Sequence, residues 1–217
     1  MIRLLIADDD ELTRTGLRSL LSTEPDLEVV AEAADGTEVL PLVVERRPDV
    51  VLMDVRMPKL DGIRATGLLR AELAEPPKVL VITTFEHDDH VYDALRAGAA
   101  GFLLKRARLS QIAHAIRLLD AGESLLFPDA VRALVTARPA PPAAVRHPRL
   151  TGRETEILRL MATGLSNTEI SQRLVISLET VKTHVGNLFT KLDAANRTQA
   201  VIIAYETGIV TPGSPAT

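Results

Sequence analysis

A regular alternation in residues 1–122 constrains this chain more than any other feature of its sequence. Short apolar runs, rich in β-branched residues, are separated by amphipathic stretches of helical length. The runs are Ile2–Ala7, Leu27–Ala33, Val50–Met53, Val79–Thr83 and Gly101–Leu104, and the amphipathic stretches are Glu11–Leu21, Thr37–Arg46, Ile63–Leu73, Asp89–Arg96 and Ser110–Ala121. Near-continuous apolar strands between helices are typical of a parallel sheet buried on both faces. The alternation predicts a doubly wound, five-stranded α/β domain over residues 1–122, with ligands at the carboxyl ends of its strands.

The pattern changes after Gly122. A short helix is predicted from Pro128 to about Val135. Four prolines then fall between residues 137 and 148 without apolar periodicity, which favours a semi-rigid, extended linker. We therefore predict a linker with a short helix over residues 123–149.

Residues 150–210 carry the signals of helix starts and ends. Thr151–Glu154 and Ser166–Glu169 both have the spacing of a capping box. A last helix is predicted to end near Gly208. Only about three residues separate the second helix from the third, which is typical of a helix-turn-helix. The pattern predicts an all-α, four-helix domain, followed by a flexible tail over residues 211–217.

Composition excludes several kinds of site. The chain has no cysteine, which rules out disulfides, thiolate zinc sites, iron–sulfur clusters and cysteine nucleophiles. Its longest apolar runs fall far short of the roughly 18 residues of a membrane span. The first apolar run is followed at once by Asp8, so we predict no signal peptide. We expect a cytoplasmic protein with no membrane partner.

The net charge of −4 is unevenly distributed. Residues 1–122 hold 15 Lys and Arg against 21 Asp and Glu, a balance of −6, whereas residues 151–217 hold 6 of each kind. The acidic first part suits metal chemistry better than nucleic acid. Any DNA contact in the neutral last part must depend on where its charges lie.

Carboxylates end two neighbouring strands of the predicted sheet. Asp8 and Asp9 follow the first run and Asp54 follows the third, so all three should meet at one edge. Mg²⁺ would relieve their repulsion. Thr83 and Lys105 add a hydroxyl and a cation at the same edge, where they could neutralise a phosphoryl group on an attacked carboxylate. The alternative is a set of ordinary Asp-rich surface loops beside an exposed lysine.

Several segments resemble the receiver domains of two-component response regulators. The segment Met53–Gly62 resembles their phosphoacceptor segment, and the other matching parts are Asp8-Asp9, Thr83 and Gly98–Lys105. The resemblance covers residues 1–122 and implies a flavodoxin-like fold. It also implies that Asp54 is phosphorylated by a histidine kinase.

The same resemblance implies individual roles. Mg²⁺ would be bound by Asp9, Asp54 and the backbone carbonyl of Arg56, with Asp8 acting mainly through water. Thr83 and Lys105 would hold the phosphoryl group; Thr83 is preferred to Thr84 because its 22-residue separation from Lys105 matches the family. Phe102 would be an aromatic switch that responds to Thr83, with core packing as the alternative.

Two histidines offer a separate metal hypothesis. His87 and His90 are spaced so that both could lie on one helix face. Nothing else in the sequence fixes a ligand geometry there. A solvated helix start is the favoured interpretation.

Residues 178–192 form a predicted amphipathic helix. Its apolar stripe consists of Val181, Val185, Leu188 and Leu192, and its opposite face carries Lys182, Thr183, Gly186, Asn187 and Thr190. The segment between Thr180 and Thr190 contains no carboxylate. Lys and Asn can contact base edges, Thr and Lys can hold phosphates, and a glycine lets a backbone come close to the duplex. The alternative is a solvated polar face.

The last part of the chain resembles the LuxR-type helix-turn-helix. The matching segments are Leu150–Glu154, Gly164–Ile170, Thr180–Val185 and Lys191-Leu192. With the receiver, the chain is similar to the NarL/FixJ class of transcription factors. The resemblance implies that helix 178–192 enters the major groove, and Gly186 stands where relatives often have a larger polar residue. The expected DNA-binding residues are Ser177, Thr180, Lys182, Thr183, Asn187 and Lys191.

The resemblance also implies that the last helix dimerises. Its candidate residues are Val201, Ile202, Ala204 and Tyr205. Packing in the core of the small domain is an equal competitor for each of them. A two-fold dimer would bind half-sites about one helical turn apart.

Together these patterns predict a phosphorylation-controlled, DNA-binding transcription regulator rather than an enzyme. A histidine kinase would transfer a phosphoryl group to Asp54, and the shifted receiver would promote homodimerisation and binding to promoter DNA. Three alternatives remain open. They are a phosphohydrolase that runs through an aspartyl-phosphate, a protein-binding bundle over residues 151–217, and the same architecture acting independently of phosphorylation.

Overall fold

The computed structural model describes residues 1–83, 89–122 and 150–210 of the chain. The strands are β1 (Ile2–Ala7), β2 (Leu27–Ala33), β3 (Val50–Asp54), β4 (Lys78–Thr83) and β5 (Gly101–Leu104). The helices are α1 (Glu11–Leu21), α2 (Gly36–Arg46), α3 (Gly62–Glu72), α4 (Asp89–Ala97), α5 (Leu109–Asp120), α6 (Gly152–Ala162), α7 (Asn167–Leu174), α8 (Leu178–Leu192) and α9 (Arg197–Glu206). The chain divides into two compact units, one holding β1 to α5 and the other α6 to α9. The predicted linker and its short helix, the tail, Thr84 and His87 lie outside the described residues.

The first unit contains a five-stranded parallel sheet. Its strand order is β2-β1-β3-β4-β5, so β1 and β3 are neighbours at its centre, as predicted. In register, Asp54 lies opposite Ile82, and Thr83 lies opposite Leu104. This order brings the ends of β1, β3, β4 and β5 to one edge, which confirms the predicted fold class.

Burial of the central strands explains their nearly unbroken apolar sequence. Leu4, Ile6, Val50, Leu52 and Leu80 are almost completely buried in a core that α5 covers on one face. Their neighbours in sequence, whose side chains lie on the opposite face, are buried as well: Leu5, Val51, Met53 and Val81. Because both faces are removed from water, apolar residues follow one another instead of alternating with polar ones.

Aspartates begin three of the helices in this unit. Asp10, Asp35 and Asp61 each have extended backbone, and each side chain accepts a backbone N–H of the first turn of α1, α2 or α3. Each bond satisfies a donor that the helix itself leaves unpaired. Helices α2 and α3 begin at Gly36 and Gly62, one residue before the predicted starts, because the caps rather than the apolar pattern set their first turns.

In the second unit, side-chain caps fix the helix-turn-helix. Thr151 and Ser166 form capping boxes at the starts of α6 and α7, as predicted, and Ser177 caps α8. Between α7 and α8 the chain turns at Val175, whose φ of 52° lies in the left-handed region. A β-branched residue is strained there, and its side chain is 89% exposed, so the turn is held by its neighbours and not by packing of Val175.

Candidate functional sites

Asp8, Asp9 and Asp54 meet at the carboxyl edge of the sheet. Asp8 directly follows β1, and Asp54 is the last residue of the adjacent strand β3. One carboxylate oxygen from each residue lies within 4.8 Å of the other two. Asp8 and Asp54 are buried, whereas Asp9 is exposed. Three close carboxylate oxygens with one open side suit a hard cation that keeps several waters, as Mg²⁺ does.

Lys105 joins two of these carboxylates. Its Nζ lies 2.7 Å from Oδ2 of Asp8 and 3.3 Å from Oδ2 of Asp54. The backbone N–H of Lys105 donates to the carbonyl of Thr83 at 2.7 Å, which ties the end of β5 to the end of β4. Burial acts to lower the pKa of Lys105, but the hydrogen bond to Asp8 and the charge of Asp54 outweigh it and raise that pKa. The ammonium is therefore a fixed positive charge at this edge.

The surroundings of Asp54 disfavour its negative charge, whereas those of Lys105 favour its positive charge. Burial raises its pKa above the ordinary value, the charge of Lys105 offsets part of that rise, and the charge of Asp8 adds to it. The carboxylate therefore carries negative charge that one lysine does not fully compensate. A divalent cation or the cationic groups around a phosphoryl donor would relieve it.

The loop after Asp54 passes close to the start of α3. The N–H of Gly62 donates to the carbonyl of Val55 at 3.0 Å. A Cβ on Gly62 would lie 2.0 Å from the carbonyl oxygen of Asp54, so only glycine allows this approach. Beside the loop lies a groove of about 500 Å³, which is lined by Asp9, Val55, Arg56, Met57, Pro58, Asp61, Ile63 and His90. The groove gives a ligand access to the exposed side of the acidic cluster.

Other predicted residues of the first unit take varied positions. Thr83 is buried at the end of β4, and Phe102 is partly buried on the edge strand β5. The switching role of Phe102 stays a prediction. His90 lies on α4 and lines the groove; within the described residues it belongs to no group of three side chains that could hold a metal. The acidic cluster is thus the better-formed candidate for a metal.

Arg14 is a neighbour of the acidic cluster that the sequence did not reveal. Its Nη1 donates to the backbone carbonyl of Asp8 at 2.6 Å, and its Nε lies 3.7 Å from Glu32. The side chain is only 14% exposed. Nothing in the spacing of α1 distinguishes this arginine from Arg18, because the contact depends on how α1 packs against β1.

In the second unit, α8 separates an apolar face from a polar one. The predicted apolar stripe, Val181, Val185, Leu188 and Leu192, is buried. Lys182, Thr183, Gly186, Asn187 and Thr190 are exposed. The polar face is therefore available to a ligand along the length of the helix.

The first turn of α8 is held by local bonds. Oγ of Ser177 accepts the N–H of Thr180 at 3.1 Å, and the two hydroxyl oxygens are 2.8 Å apart. Lys182 Nζ lies 2.8 Å from Glu179, and the hydroxyl of Thr183 donates to the carbonyl of Glu179. These exposed, short-range contacts leave the side chains free to exchange partners at low cost.

Lys191 differs from the other predicted contacts of α8. Its Nζ is 2.8 Å from both carboxylate oxygens of Glu154, which is buried at the start of α6. The hydrogen bond from Lys191 lowers the pKa of Glu154 against the effect of burial. Glu154 also accepts the backbone N–H of Thr151. Lys191 thus helps to join α8 to α6 within the fold, a role that its polar neighbours in sequence did not indicate.

Helix α9 is packed mainly inside its own unit. Val201, Ile202 and Ala204 are completely buried, and Tyr205 is partly buried. Core packing therefore accounts for the first three, and among the four candidates Tyr205 alone keeps surface for a partner.

At the start of α9, Arg197 donates to the carbonyl of Leu165 and to the side chain of Asn167. Burial lowers the pKa of this guanidinium to about 10. Its position between the first turn of α9 and the α6–α7 turn shows that it holds these two segments together.

The chain matches two family models. Residues 4–117 match the response regulator receiver domain, and residues 148–204 match the bacterial regulatory proteins of the luxR family. The first match covers more than half of the chain. The second covers α6, α7 and α8 and most of α9, and it favours DNA binding over a protein-binding bundle.

Relatives match along nearly the whole chain. The transcriptional regulatory protein LiaR of Bacillus subtilis is 45% identical over 211 residues, which are 97% of this chain and 100% of that protein. The response regulator protein VraR of Staphylococcus aureus is 42% identical over 96% of this chain and 99% of its own length. These relatives are regulators, so the hydrolase alternative loses its support.

Solved structures agree with both assignments. The response regulator ChrA of a heme-sensing two-component system is 37% identical, with a TM-score of 0.53 over 96% of this chain and 98% of its own. The receiver domain of the putative response regulator NarL of Mycobacterium tuberculosis is 38% identical, with a TM-score of 0.54 over 56% of this chain and 98% of its own. Among the described helices, none is long and apolar enough to cross a membrane. The chain therefore belongs to the response regulators that join a receiver domain to a LuxR-family DNA-binding domain, and it is a phosphorylation-regulated, DNA-binding transcription regulator.

Proposed function

We propose that Asp54 accepts a phosphoryl group from a histidine kinase, and that this promotes homodimerisation and binding of α8 to promoter DNA. One observation carries the proposal. A buried carboxylate at the end of a central strand lies 3.3 Å from a lysine and beside two further carboxylates. An ordinary surface loop does not concentrate three acidic side chains and one cation at a single edge of a sheet.

The chemistry uses the groups at this edge. An oxygen of Asp54 attacks phosphorus, the new O–P bond forms, and the bond from phosphorus to the kinase's histidine nitrogen breaks with its electron pair left on nitrogen. Lys105 supplies positive charge for the oxygens of the transferred group, and Thr83 supplies a hydroxyl. Mg²⁺, held by Asp9, Asp54 and the carbonyl of Arg56 with Asp8 acting through water, would neutralise the charge that accumulates on those oxygens.

The DNA-binding part of the proposal depends on the exposed face of α8. In a helix-turn-helix the second helix enters the major groove. Lys182, Thr183 and Asn187 are exposed on that face, and Ser177 and Thr180 lie at its first turn, where helices commonly contact phosphates. Lys191 lies in the last turn of α8, at the other end of this surface, and contributes to it only if its ammonium leaves Glu154 or is shared with it.

Intact-mass measurement tests the acceptor. The full chain is incubated with Mg²⁺ and a small phosphodonor, and the wild type is compared with Asp54→Asn and with Asp120→Asn. Asp120 is an exposed carboxylate at the end of α5 and serves as the control. We expect one phosphoryl group on the wild type and on Asp120→Asn and none on Asp54→Asn. Phosphorylation of Asp54→Asn at the wild-type level would contradict the assignment.

A second measurement tests the output. Sedimentation velocity should detect a shift from monomer to dimer in the phosphorylated wild type and no shift in Asp54→Asn. A pool of random duplexes, selected for binding to the phosphorylated protein, then supplies a DNA probe. Binding should weaken steeply with salt because phosphate contacts release counterions. Equal dimerisation and DNA affinity with and without phosphoryl transfer would favour the phosphate-independent alternative.

A further inference from the structure

The loop between β3 and α3 supplies a backbone ligand in the proposed function, yet it has no regular structure of its own. Residues 55–61 join Asp54 to Gly62, and the carbonyl of Arg56 lies within this loop. A backbone carbonyl cannot turn independently of its chain. The position of this ligand therefore depends on whatever holds the loop.

The first turn of α2 is one such support. The N–H of Gly36 donates to the carbonyl of Leu60 at 3.1 Å. A Cβ on Gly36 would lie 2.2 Å from that same carbonyl oxygen and 2.9 Å from its carbon. Both are backbone atoms, so a side chain at residue 36 could be accommodated only if the loop or the helix moved.

A second contact joins the same two segments. Nζ of Lys59 lies 2.6 Å from Oδ2 of Asp35, whose side chain is only 4% exposed. The other oxygen of Asp35 accepts the N–H of Thr37 at 2.8 Å. One carboxylate thus caps α2 and holds the loop, and the hydrogen bonds from Lys59 and Thr37 together lower the pKa of Asp35 to about 2.

The loop is strained where this contact is made. Lys59 has a φ of 60°, in the left-handed region, which a non-glycine residue occupies only when its surroundings hold it there. Leu60 then folds back so that its N–H donates to the carbonyl of Pro58 at 2.7 Å. Only Met57 and Pro58 separate Lys59 from Arg56. A movement of the backbone at residues 59 and 60 therefore shifts the carbonyl of Arg56 as well.

We infer that Asp35, Gly36 and Lys59 are positioning residues, which set the β3–α3 loop so that the carbonyl of Arg56 can bind the divalent cation. The inference rests on the proposed function, because it requires a cation at the acidic cluster. The three residues touch neither the cation nor the phosphoryl group. Their effect passes through the loop, as with residues that orient metal ligands elsewhere.

Two alanine substitutions of helical glycines test this inference. Gly36→Ala places a Cβ against the loop, whereas Gly67→Ala, inside α3, places one where no atom lies within 4 Å. Mg²⁺ affinity of the full chain is measured by titration calorimetry without a phosphodonor. We expect Gly36→Ala to weaken Mg²⁺ binding about tenfold, the lower end for loss of an orienting neighbour, and Gly67→Ala to leave it unchanged.

Lys59 gives a milder test that does not disturb packing. Its side chain is 67% exposed, so Lys59→Ala should fold normally. Because exposed ion pairs are weak, we expect Mg²⁺ affinity to fall by about twofold to fivefold, and Lys59→Arg to restore most of it. Thermal unfolding in the presence of a chelator should differ little between Lys59→Ala and wild type, which separates positioning from stability.

The outcomes distinguish the proposed Mg²⁺ site from the proposed positioning role of Asp35, Gly36 and Lys59. If the wild type takes up no Mg²⁺, the metal site itself is wrong and the positioning inference falls with it. If the wild type binds Mg²⁺ and a folded Gly36→Ala and Lys59→Ala bind it equally well, the metal site stands and only the positioning role is overturned. A loss of Mg²⁺ affinity of about tenfold in Gly36→Ala and a smaller loss in Lys59→Ala support the inference.

Discussion

The acidic edge of the receiver and the polar face of α8 use their functional side chains in opposite ways. Asp8, Asp54 and Thr83 are buried, and Lys105 bridges the two carboxylates. Lys182 and Asn187, by contrast, are exposed to solvent. In the receiver the same contacts serve both the fold and the chemistry. On α8 the contacts proposed for Lys182 and Asn187 would form only with DNA, so stability and function should separate at these residues.

Lys105→Met should produce the largest effect on the receiver side of this comparison. Removing one fixed cationic donor from a phosphoryl-transfer site should slow phosphorylation of Asp54 by about a hundredfold. Mg²⁺ should bind more tightly, because Lys105 no longer competes for Asp8 and Asp54. The rate of phosphoryl incorporation from a small donor and Mg²⁺ titration measure the two effects.

Lys78→Met is the matched control for that experiment. Lys78 begins β4, at the edge of the sheet away from Thr83, and its Nζ donates to the carbonyl of Asp120 at 3.3 Å. Its replacement should leave the rate of phosphorylation unchanged. An equal loss in both variants would mean that net charge, and not the position of Lys105, controls the rate.

Two lysines of α8 test whether stability and DNA binding separate. Lys191→Met leaves the buried carboxylate of Glu154 without its cation, which should cost about 1–3 kcal/mol of stability in the second unit. Lys182→Met removes an exposed pair with Glu179 and should cost less than about 0.5 kcal/mol. Urea unfolding of the full chain, with α6–α9 followed by hydrogen exchange, measures both.

DNA binding of the same two variants sharpens the comparison. Lys182→Met should weaken binding to the selected duplex and lower the salt slope by about one unit. Glu154→Gln is the control variant for Lys191→Met. Glutamine at residue 154 keeps a group that can cap α6, but it removes the buried negative charge that Lys191 neutralises. If Lys191→Met and Lys182→Met destabilise the unit equally, the bond to Glu154 contributes little and the contrast between the two lysines is wrong.

The raised pKa of Asp54 predicts that the free energy of unfolding depends on pH. Because the folded pKa lies above the unfolded one, the folded state binds more protons in the interval between them, and stability falls as the pH rises through it. Asp54→Asn should therefore be more stable than wild type at neutral pH without divalent cations. The advantage should disappear below about pH 3.8, the ordinary value. Thermal unfolding across pH, with a chelator present, measures this; a constant difference at every pH would contradict it.

The sequence predicted the edge of the sheet well because its signals are local. Each strand is a short apolar run, and the position of Asp54 at the end of one run already places it beside Asp8 once the strand order is known. The caps at Thr151 and Ser166 were equally visible, since each bond spans three residues. Strand positions, burial and caps follow from patterns shorter than about ten residues, whereas the strand order follows from the doubly wound topology as a whole.

The contacts that sequence reasoning missed join distant segments. Lys191 and Glu154 are 37 residues apart, and Lys59 and Asp35 are 24 apart. Arg14 is only six residues from Asp8, but it donates to the backbone carbonyl of Asp8, and a backbone acceptor leaves no side-chain pattern in the sequence. Such contacts depend on the crossing of elements and on side-chain reach, and one sequence carries no periodic signal for either.

Gly186 gives a small predicted effect on stability and the sharpest contrast between fold and function. It lies in the middle of α8, is exposed, and an added Cβ would meet no atom within 4 Å. The fold therefore gives no reason for glycine, and Gly186→Ala should stabilise the second unit by about 0.5–1 kcal/mol. If the glycine instead lets the helix approach DNA closely, the same substitution should weaken binding to the selected duplex, so that stability and affinity change in opposite directions. Gly16→Ala in α1, equally open, should stabilise the receiver and leave DNA affinity unchanged. Unchanged or higher DNA affinity in Gly186→Ala would mean that the duplex does not need the space, and that the polar side chains of α8 alone determine how closely it approaches.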